Sequence, residues 1–468
     1  MSPQIATLIF VVGMGFLFRL DPIRNSRTSK ALWIAIVWLS IAGSRSVSSW
    51  LAAFGGGGSV TDVNSNPDYY LEGNPTDRPI LIGLLVVGAI VLVIRWEKVW
   101  GVLLANGPIL CFFLYCAISC LWSDYPDVAF KRWIKFLGDF VMVLLVLTDA
   151  NPLAAVKRLL AWTGFVLIPV SVLLIKYYPD LGRGYHPWDW TPYYTGVTTN
   201  KNELGYVCLI FGVASVWRIL SALRERQAVR EVLVAHGAVL AMVFWLFSMA
   251  GSMTSFSCFL MGTGILVATF LRMVRRRSWV VHCLVAAMLL FSTSTLFLGV
   301  GTGVLETMGR NPTLTGRTDI WSLVLKLTKN RIIGTGFESF WLGERLRKIW
   351  DIYWWHPNQS HNGYIEIFIN LGWVGILLLG VVLVTSYRRV LTVFRRNTGT
   401  GNLRLAYFVI GITYNFTEAA FKAMHPVWIV FMLATLMVPG GWEPRQRKKR
   451  KLEQAVVNSP EELCLEST

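Results

Sequence analysis

The chain has 468 residues, 54% of them hydrophobic and 15% charged, with a mean hydropathy of +0.51. A soluble domain carries about 25% charged residues, so this composition excludes a soluble multidomain enzyme, a disordered chain and a secreted disulfide scaffold, and points to a polytopic membrane protein. The net charge of +17 does not imply a nucleic-acid partner, because the cations lie between apolar runs, where the insertion bias for Lys and Arg accounts for them.

A membrane-crossing helix needs roughly 17–25 mostly apolar residues. In chain order, candidate spans cover 4–18, 31–54, 79–94, 101–121, 134–148, 159–176, 203–220, 232–250, 255–271, 279–300, 363–386, 405–421 and 424–438. The predicted fold is all-α, a transmembrane bundle of about twelve to fourteen spans. No Lys or Arg precedes the first run and no small-residue cleavage site follows it, so it reads as a retained span.

Cations crowd alternate connections: Arg19 to Lys30, Arg95 with Lys98, Lys157 with Arg158, Arg218 to Arg230, Arg272 to Arg277 and Arg388 to Arg404, then the tail at Arg445 to Lys451. The intervening connections 55–78, 122–133 and 177–202 are poor in them. This alternation predicts an external N-terminus and a cytoplasmic C-terminus. It divides the chain into N-terminal spans 1–300, a large external loop 301–362, C-terminal spans 363–438 and a tail 439–468 that can meet anionic membrane lipid. Cys111, Cys116, Cys120, Cys208, Cys258 and Cys283 sit in apolar segments and Cys464 in the tail, a distribution unlike a disulfide framework or a paired zinc motif.

The 301–362 loop has its own patterning. Ile320, Leu323, Val324 and Leu327 recur at helical spacing, and a second short helix is expected over 337–350, with Glu344 and Lys348 one turn apart. Structured loops of this length usually carry lids or sites, so this one is expected to cap the outer membrane surface.

Several chemistries lack their motif. There is no GxxxxGK[ST], and Gly299, Gly301 and Gly303 end an apolar run without opening a Rossmann unit. His356 and His361 are five apart, the wrong spacing for two ligands on one helix face, and no DxD pair is placed to hold Mg²⁺. Metal-independent chemistry without a cofactor is expected. Ionisable residues gather instead at the external ends of the spans: Arg132, Arg183, His186, Lys201, Arg310, Arg317, His356, His361, Glu366 and His425, with Arg45 in the outer part of its span. Such residues are costly at a membrane and mark sites. A transporter would place polar groups near the midplane; one cation-rich outer layer suits an anionic headgroup better. His186, close to Trp188 and Trp190, reads as part of a sugar-stacking or interfacial surface.

Five strings occur in a telling order. Thr199-Asn200 precede Lys201-Asn-Glu-Leu-Gly205; Thr315-Gly-Arg-Thr-Asp-Ile-Trp321 precedes Gly334-Thr-Gly-Phe337. His361-Asn-Gly-Tyr-Ile-Glu366 then opens a span, with Leu371-Gly-Trp-Val-Gly375 deeper in it. This order resembles the O-antigen ligase and polysaccharide polymerase family of bacterial inner-membrane proteins, and more narrowly its exopolysaccharide polymerase branch. The resemblance covers most of the chain in topology and is sharpest from about 200 to 375. It implies transfer of a glycan from an undecaprenyl-diphosphate carrier to a glycan or lipid acceptor, at the periplasmic face and without metal. It also implies other polysaccharide-assembly proteins as partners.

Carried over by motif, His361 is the candidate base, and Arg317 and Lys201 are candidate diphosphate ligands. Arg132, after Trp122-Ser-Asp-Tyr-Pro126, resembles a further family arginine. Arg45, Glu366, Glu418 and Asn362 complete the candidate set, Arg45 as a diphosphate ligand and the others in support. One departure is Ser252-Met-Thr-Ser255, where many relatives carry a cation.

The residue types suit this chemistry in their own right. Arg presents a planar fork and Lys a mobile point charge to phosphate oxygens. Imidazole ordinarily titrates near neutrality and can take the proton of an attacking hydroxyl. Plainer roles stay open: His361 could cap a helix, Lys201 could snorkel, and Arg132 and Arg45 could anchor or pair. A ligase loading finished glycan onto lipid A, and a lipid-linked oligosaccharide flippase or polysaccharide transporter, remain alternatives.

Overall fold

The computed structural model describes residues 1–55, 71, 74–186, 190–271, 278–297, 317–396 and 399–442. Arg310, Trp188, the glycines at 299, 301 and 303 and the basic run 445–451 lie outside the described residues.

The chain is an α-helical membrane bundle. Its helices are α1 (Pro3–Leu20), α2 (Leu32–Ala42), α3 (Val47–Phe54), α4 (Asp77–Ile94), α5 (Trp96–Leu104), α6 (Gly107–Ser119), α7 (Pro126–Leu147) and α8 (Pro152–Tyr177). After the small hairpin β1 (Arg183–Tyr185) and β2 (Pro192–Tyr194) come α9 (Lys201–Glu225), α10 (Val229–Ala250), α11 (Met253–Phe270) and α12 (Ser278–Phe297). The last elements are α13 (Arg317–Leu327), α14 (Gly343–Ile352), α15 (Gly363–Arg395), α16 (Gly401–Tyr414) and α17 (Pro426–Thr435).

Among the described residues each expected apolar segment contains a helix, but the span count differs. Among the described residues seven helices are long and apolar enough to cross a membrane, or up to nine when each of two bent pairs counts as one span. The α2–α3 pair bends by 68° and α5–α6 by 92°. At the first bend the Arg45 N–H donates to the Val197 carbonyl (3.0 Å), and Asp77 accepts from the Ser48 N–H (2.8 Å) and hydroxyl (2.6 Å). At the second, Asn106 binds both N–H and carbonyl of Met437 (2.9 and 2.8 Å), replacing the interrupted helix bonds. The segment expected over 405–421 stops at Tyr414, where the Asn415 side chain accepts from the Ala420 and Phe421 N–H groups (2.8 and 3.2 Å) and turns the chain.

Burial sorts the helices into shells. α9 and α17 are apolar on nearly every face and sit in the centre, as helices without a polar stripe must. α1 and α4 leave most of their apolar surface outward, including Leu8, Val12, Ile90 and Val93, as helices facing lipid do.

The segment 317–362 forms its own small core of Ile320, Val324, Phe340, Leu346 and Ile349 against Ile369 of α15. The second loop helix begins at Gly343, six residues later than the sequence suggests, because the Ser339 and Phe340 N–H groups donate to Asn370 Oδ1 (2.9 and 3.0 Å), beside a break in α15. Gly372, at φ +65°, interrupts the helix. The Trp373 and Val374 N–H groups donate to the carbonyls of Arg331 (2.9 Å) and Ile332 (3.1 Å), while the Thr335 and Gly336 N–H groups donate to Ile369 and Asn370 (3.1 and 2.9 Å). A Cβ on Gly372 would lie 2.2 Å from the Ile332 oxygen, and one on Gly334 2.3 Å from the Asn370 carbonyl. Two glycine strings far apart in sequence are thus one joint.

Candidate active site

A cavity of about 1170 Å³ opens where residues 43–46, 185–186, 193–200, 353–361 and 415–425 meet. Ordinary small-molecule pockets span roughly 300–1,000 Å³. Lys201, His361, Glu418 and Lys422 all line it.

The His361-Asn-Gly-Tyr string builds its wall residue by residue. Asn362 caps α15, its Oδ1 accepting from the Tyr364 and Ile365 N–H groups (3.0 and 3.1 Å), while its Nδ2 donates to the Phe416 carbonyl (3.0 Å). The Gly363 N–H donates to the carbonyls of Asn415 (2.8 Å) and Glu418 (3.1 Å). A Cβ there would sit 1.9 Å from the Asn415 side-chain oxygen, so only glycine admits this approach. Tyr364 donates to the Ile412 carbonyl (3.0 Å). The motif therefore docks the 415–418 turn beside His361, which holds φ +54°.

The outcome is a chain of side chains. His361 Nδ1 lies 3.1 Å from Glu418 Oε2, and Asn202 Nδ2 donates to Glu418 Oε1 at 3.2 Å. Gln359 Nε2 is 3.4 Å from the same imidazole nitrogen, and Lys422 Nζ donates to Gln359 Oε1 at 3.1 Å. Glu366 serves the wall from behind: it accepts from the Ser360 N–H (2.5 Å) and, with both oxygens, from the Trp341 indole (3.0 Å each). This pins the residue before His361.

Lys201 is exposed to the cavity at the first position of α9. Its neighbours are spent on the helix start: Asn200 caps Glu203, whose carboxylate accepts from the Thr199 N–H and hydroxyl (3.0 and 2.7 Å). Gly205 lets α11 approach, since a Cβ there would meet Ser252 and Ser255 at 2.7 Å. The Ser252-Met-Thr-Ser255 departure is thus a packed helix start, with the two hydroxyls 3.1 Å apart.

Of the other expected cationic residues, Arg45 and Arg132 lie outside this cavity, whereas His425 lines it. Arg45 donates to the Leu181 carbonyl and to Thr195 Oγ1 (3.1 Å) and stands over the Trp50 ring, holding the 178–197 connection to the α2–α3 bend. Arg132 donates to the Glu338 carbonyl and borders two smaller cavities, an apolar groove of about 350 Å³ between α4 and α7 and a pocket of about 210 Å³ beside Trp341. Arg317 opens α13, but its side chain lies outside the described residues. His425 caps α17 through the Val427 N–H (3.2 Å) and packs on Tyr206.

Two cavity cations escaped the sequence reading. Lys135 lines both the large cavity and the α4–α7 groove, and Lys422 both the large cavity and the Trp341 pocket. Lys135 lies inside a predicted span and Lys422 in the gap between two, and no motif flags either.

A multi-pass membrane bundle with a polar, cation-bearing cavity at one end defines the class. Residues 238–380 match the O-antigen ligase family, the family its motifs resemble. The chain is similar to exopolysaccharide production protein ExoQ of Rhizobium meliloti, 24% identical over 63% of this chain and 68% of that protein. It is also similar to a provisionally named polysaccharide ligase of Rickettsia conorii, 20% identical over 73% of this chain and 82% of that one. Arg317, His361 and Glu366 fall within the family match; Arg132, Lys201, Glu418 and Lys422 lie outside it.

Proposed function

We propose that this chain transfers a glycan from an undecaprenyl-diphosphate carrier to an acceptor hydroxyl in the large cavity, at the periplasmic face of a bacterial inner membrane. The observation that carries the reading is the Asn202–Glu418–His361 chain on the wall of a cavity that Lys201 also lines. With Nδ1–H donating to Glu418, the Nε2 of His361 is left as the acceptor. It takes the proton of the acceptor hydroxyl as that oxygen attacks the anomeric carbon, and Glu418 stabilises the imidazolium formed. The anomeric C–O bond breaks, and the electron pair leaves with the diphosphate. Lys201, Lys135 and Lys422 neutralise the charge that builds there, with Arg317 in the same role, so that no step requires Mg²⁺. A single displacement inverts the anomeric centre.

The α4–α7 groove suits the carrier's chain: Leu81, Ile82 and Leu85 line it, and Arg78, Lys131, Arg132 and Lys135 border it. The orientation rests on the far end of the bundle, where Arg158, Arg218 and Arg389 bond to connections between helices and Arg95 and Arg404 donate to last-turn carbonyls of α7 and α17, the cation-rich arrangement expected on the cytoplasmic side.

The test is purified protein with a lipid-linked repeat unit as sole substrate, EDTA throughout, and products resolved by length. A ladder of two, three and more units supports a metal-independent polymerase. A ligase gives product only once lipid A is added. Lipid-linked units left intact under both conditions would overturn transfer in favour of a flippase.

A further inference from the structure

The large cavity has a second wall that the proposed chemistry does not use. On one side stands the β1–β2 hairpin, paired with Gly184 opposite Tyr193. The Tyr193 ring fills the space a Cβ on Gly184 would take, 2.3 Å away, and His186 lies 4.8 Å from that ring. Arg183 fastens the hairpin to the end of α8 by donating from Nε and Nη2 to the Ile175 carbonyl (3.0 and 2.9 Å). On the other side the turn after α14 presents Trp354 and Trp355. That turn is pinned from beneath: Trp350 stacks on His356 at 4.4 Å and donates to the Pro357 carbonyl (2.9 Å), and His356 holds φ +49°.

The hairpin and the turn carry these rings at the cavity surface. Trp354 is 70% exposed, Tyr185 49% and Trp355 39%, and all three line the cavity together with His186, Tyr193, Asn200 and Asn358. An interfacial aromatic belt would turn its rings to lipid. Here they share a cavity with His361 and with amide side chains. Aromatic faces beside amides match a pyranose, whose C–H face packs on rings while its hydroxyls reach hydrogen-bonding groups.

We infer that Tyr185, His186, Tyr193, Trp354 and Trp355 form a saccharide platform that holds the acceptor glycan, several sugars long, while its terminal hydroxyl faces His361. This rests on the proposed transfer reading and names its acceptor as a sugar chain. A glycan gripped by its sugars stays at the site between additions, so the platform sets product length without taking part in bond formation.

The experiment uses the full-length protein and the W354A/W355A variant, with W354F/W355F as the conservative control and Tyr185→Ala as an independent probe on the opposite wall. Two readouts are taken: the product ladder from a lipid-linked repeat extracted from the source bacterium, and binding of the carrier-free oligosaccharide released from it by mild acid. The expected result is that W354A/W355A and Tyr185→Ala still join two units but stop at short products. They bind the free oligosaccharide about tenfold more weakly, and the phenylalanine pair restores both readouts. Ladders of unchanged length with unchanged oligosaccharide binding in both alanine variants overturn the platform. A misfolded double variant leaves Tyr185→Ala and the phenylalanine pair to decide. If the unaltered protein forms no bond, the transfer reading fails, and the binding measurement still judges the platform by itself.

Discussion

Glu418 Oε2 stands 3.1 Å from His361 Nδ1 across 57 residues of sequence, and Asn202 binds the other carboxylate oxygen at 3.2 Å. Three segments of the chain, the start of α9, the start of α15 and the turn after α16, therefore meet at one imidazole. The expected consequence is kinetic. His361→Ala lowers transfer by at least about 10²-fold, with the protein still folded in the membrane. Glu418→Gln keeps the size but stabilises an imidazolium poorly, and lowers kcat on the order of 10²-fold or more with KM little changed. Initial rates at matched expression check both; polymer at normal rates from His361→Ala removes the base from the mechanism.

Lys201 meets the cavity from the first turn of α9 with its neighbours already bonded to one another. If its charge acts on the departing diphosphate, Lys201→Ala costs kcat about 10²–10³-fold, and Lys201→Arg recovers a part of it. Arg317→Ala is expected to abolish product in the same assay. A rise in KM alone, with kcat intact, would reduce Lys201 to a binding contact.

The joint at Gly372 makes a structural prediction. Gly372→Ala forces a Cβ against the Ile332 carbonyl oxygen at φ +65°, and Gly334→Ala does the same against Asn370. Both should lower the melting temperature in detergent and the yield of folded protein. Gly83→Ala, on a helical position with nothing within 4 Å, is the control and should leave stability unchanged or slightly raised. Equal melting temperatures for all three would show that the joint carries no strain.

Asp139 ties α7 to two partners: the Trp38 indole donates to Oδ1 and the Met424 N–H to Oδ2, each at 2.8 Å. Asp139→Ala leaves the buried Trp38 indole unpaired, at a cost of about 1–3 kcal/mol, removes the acceptor of the part-buried Met424 N–H, and frees the 415–425 turn that carries Glu418. The expected result is a lower melting temperature together with reduced transfer. Loss of transfer at full stability would instead point to a direct role for Asp139.

The helices, the membrane setting and the family resemblance were readable in the linear sequence, because apolar run length and the ordering of short strings are local properties. The His361-Asn-Gly-Tyr string stood out by its order in the sequence, but the helix cap open to His361 is made by Asn362, and Gly363 admits Asn415 from the turn after α16. Other features waited for the packed chain. Arg45, grouped with the phosphate ligands by its place in a span, spends its guanidinium on the Leu181 carbonyl and Thr195. Lys135 and Lys422 border the cavity although no motif marks them. The two bent pairs look like ordinary spans until the Val197 and Met437 backbones arrive to satisfy their broken ends. The reason is common to all of these. A side chain's direction at a turn, and whether a helix can tolerate a break, depend on partners far away in the sequence, and only the assembled bundle brings those partners within hydrogen-bonding distance.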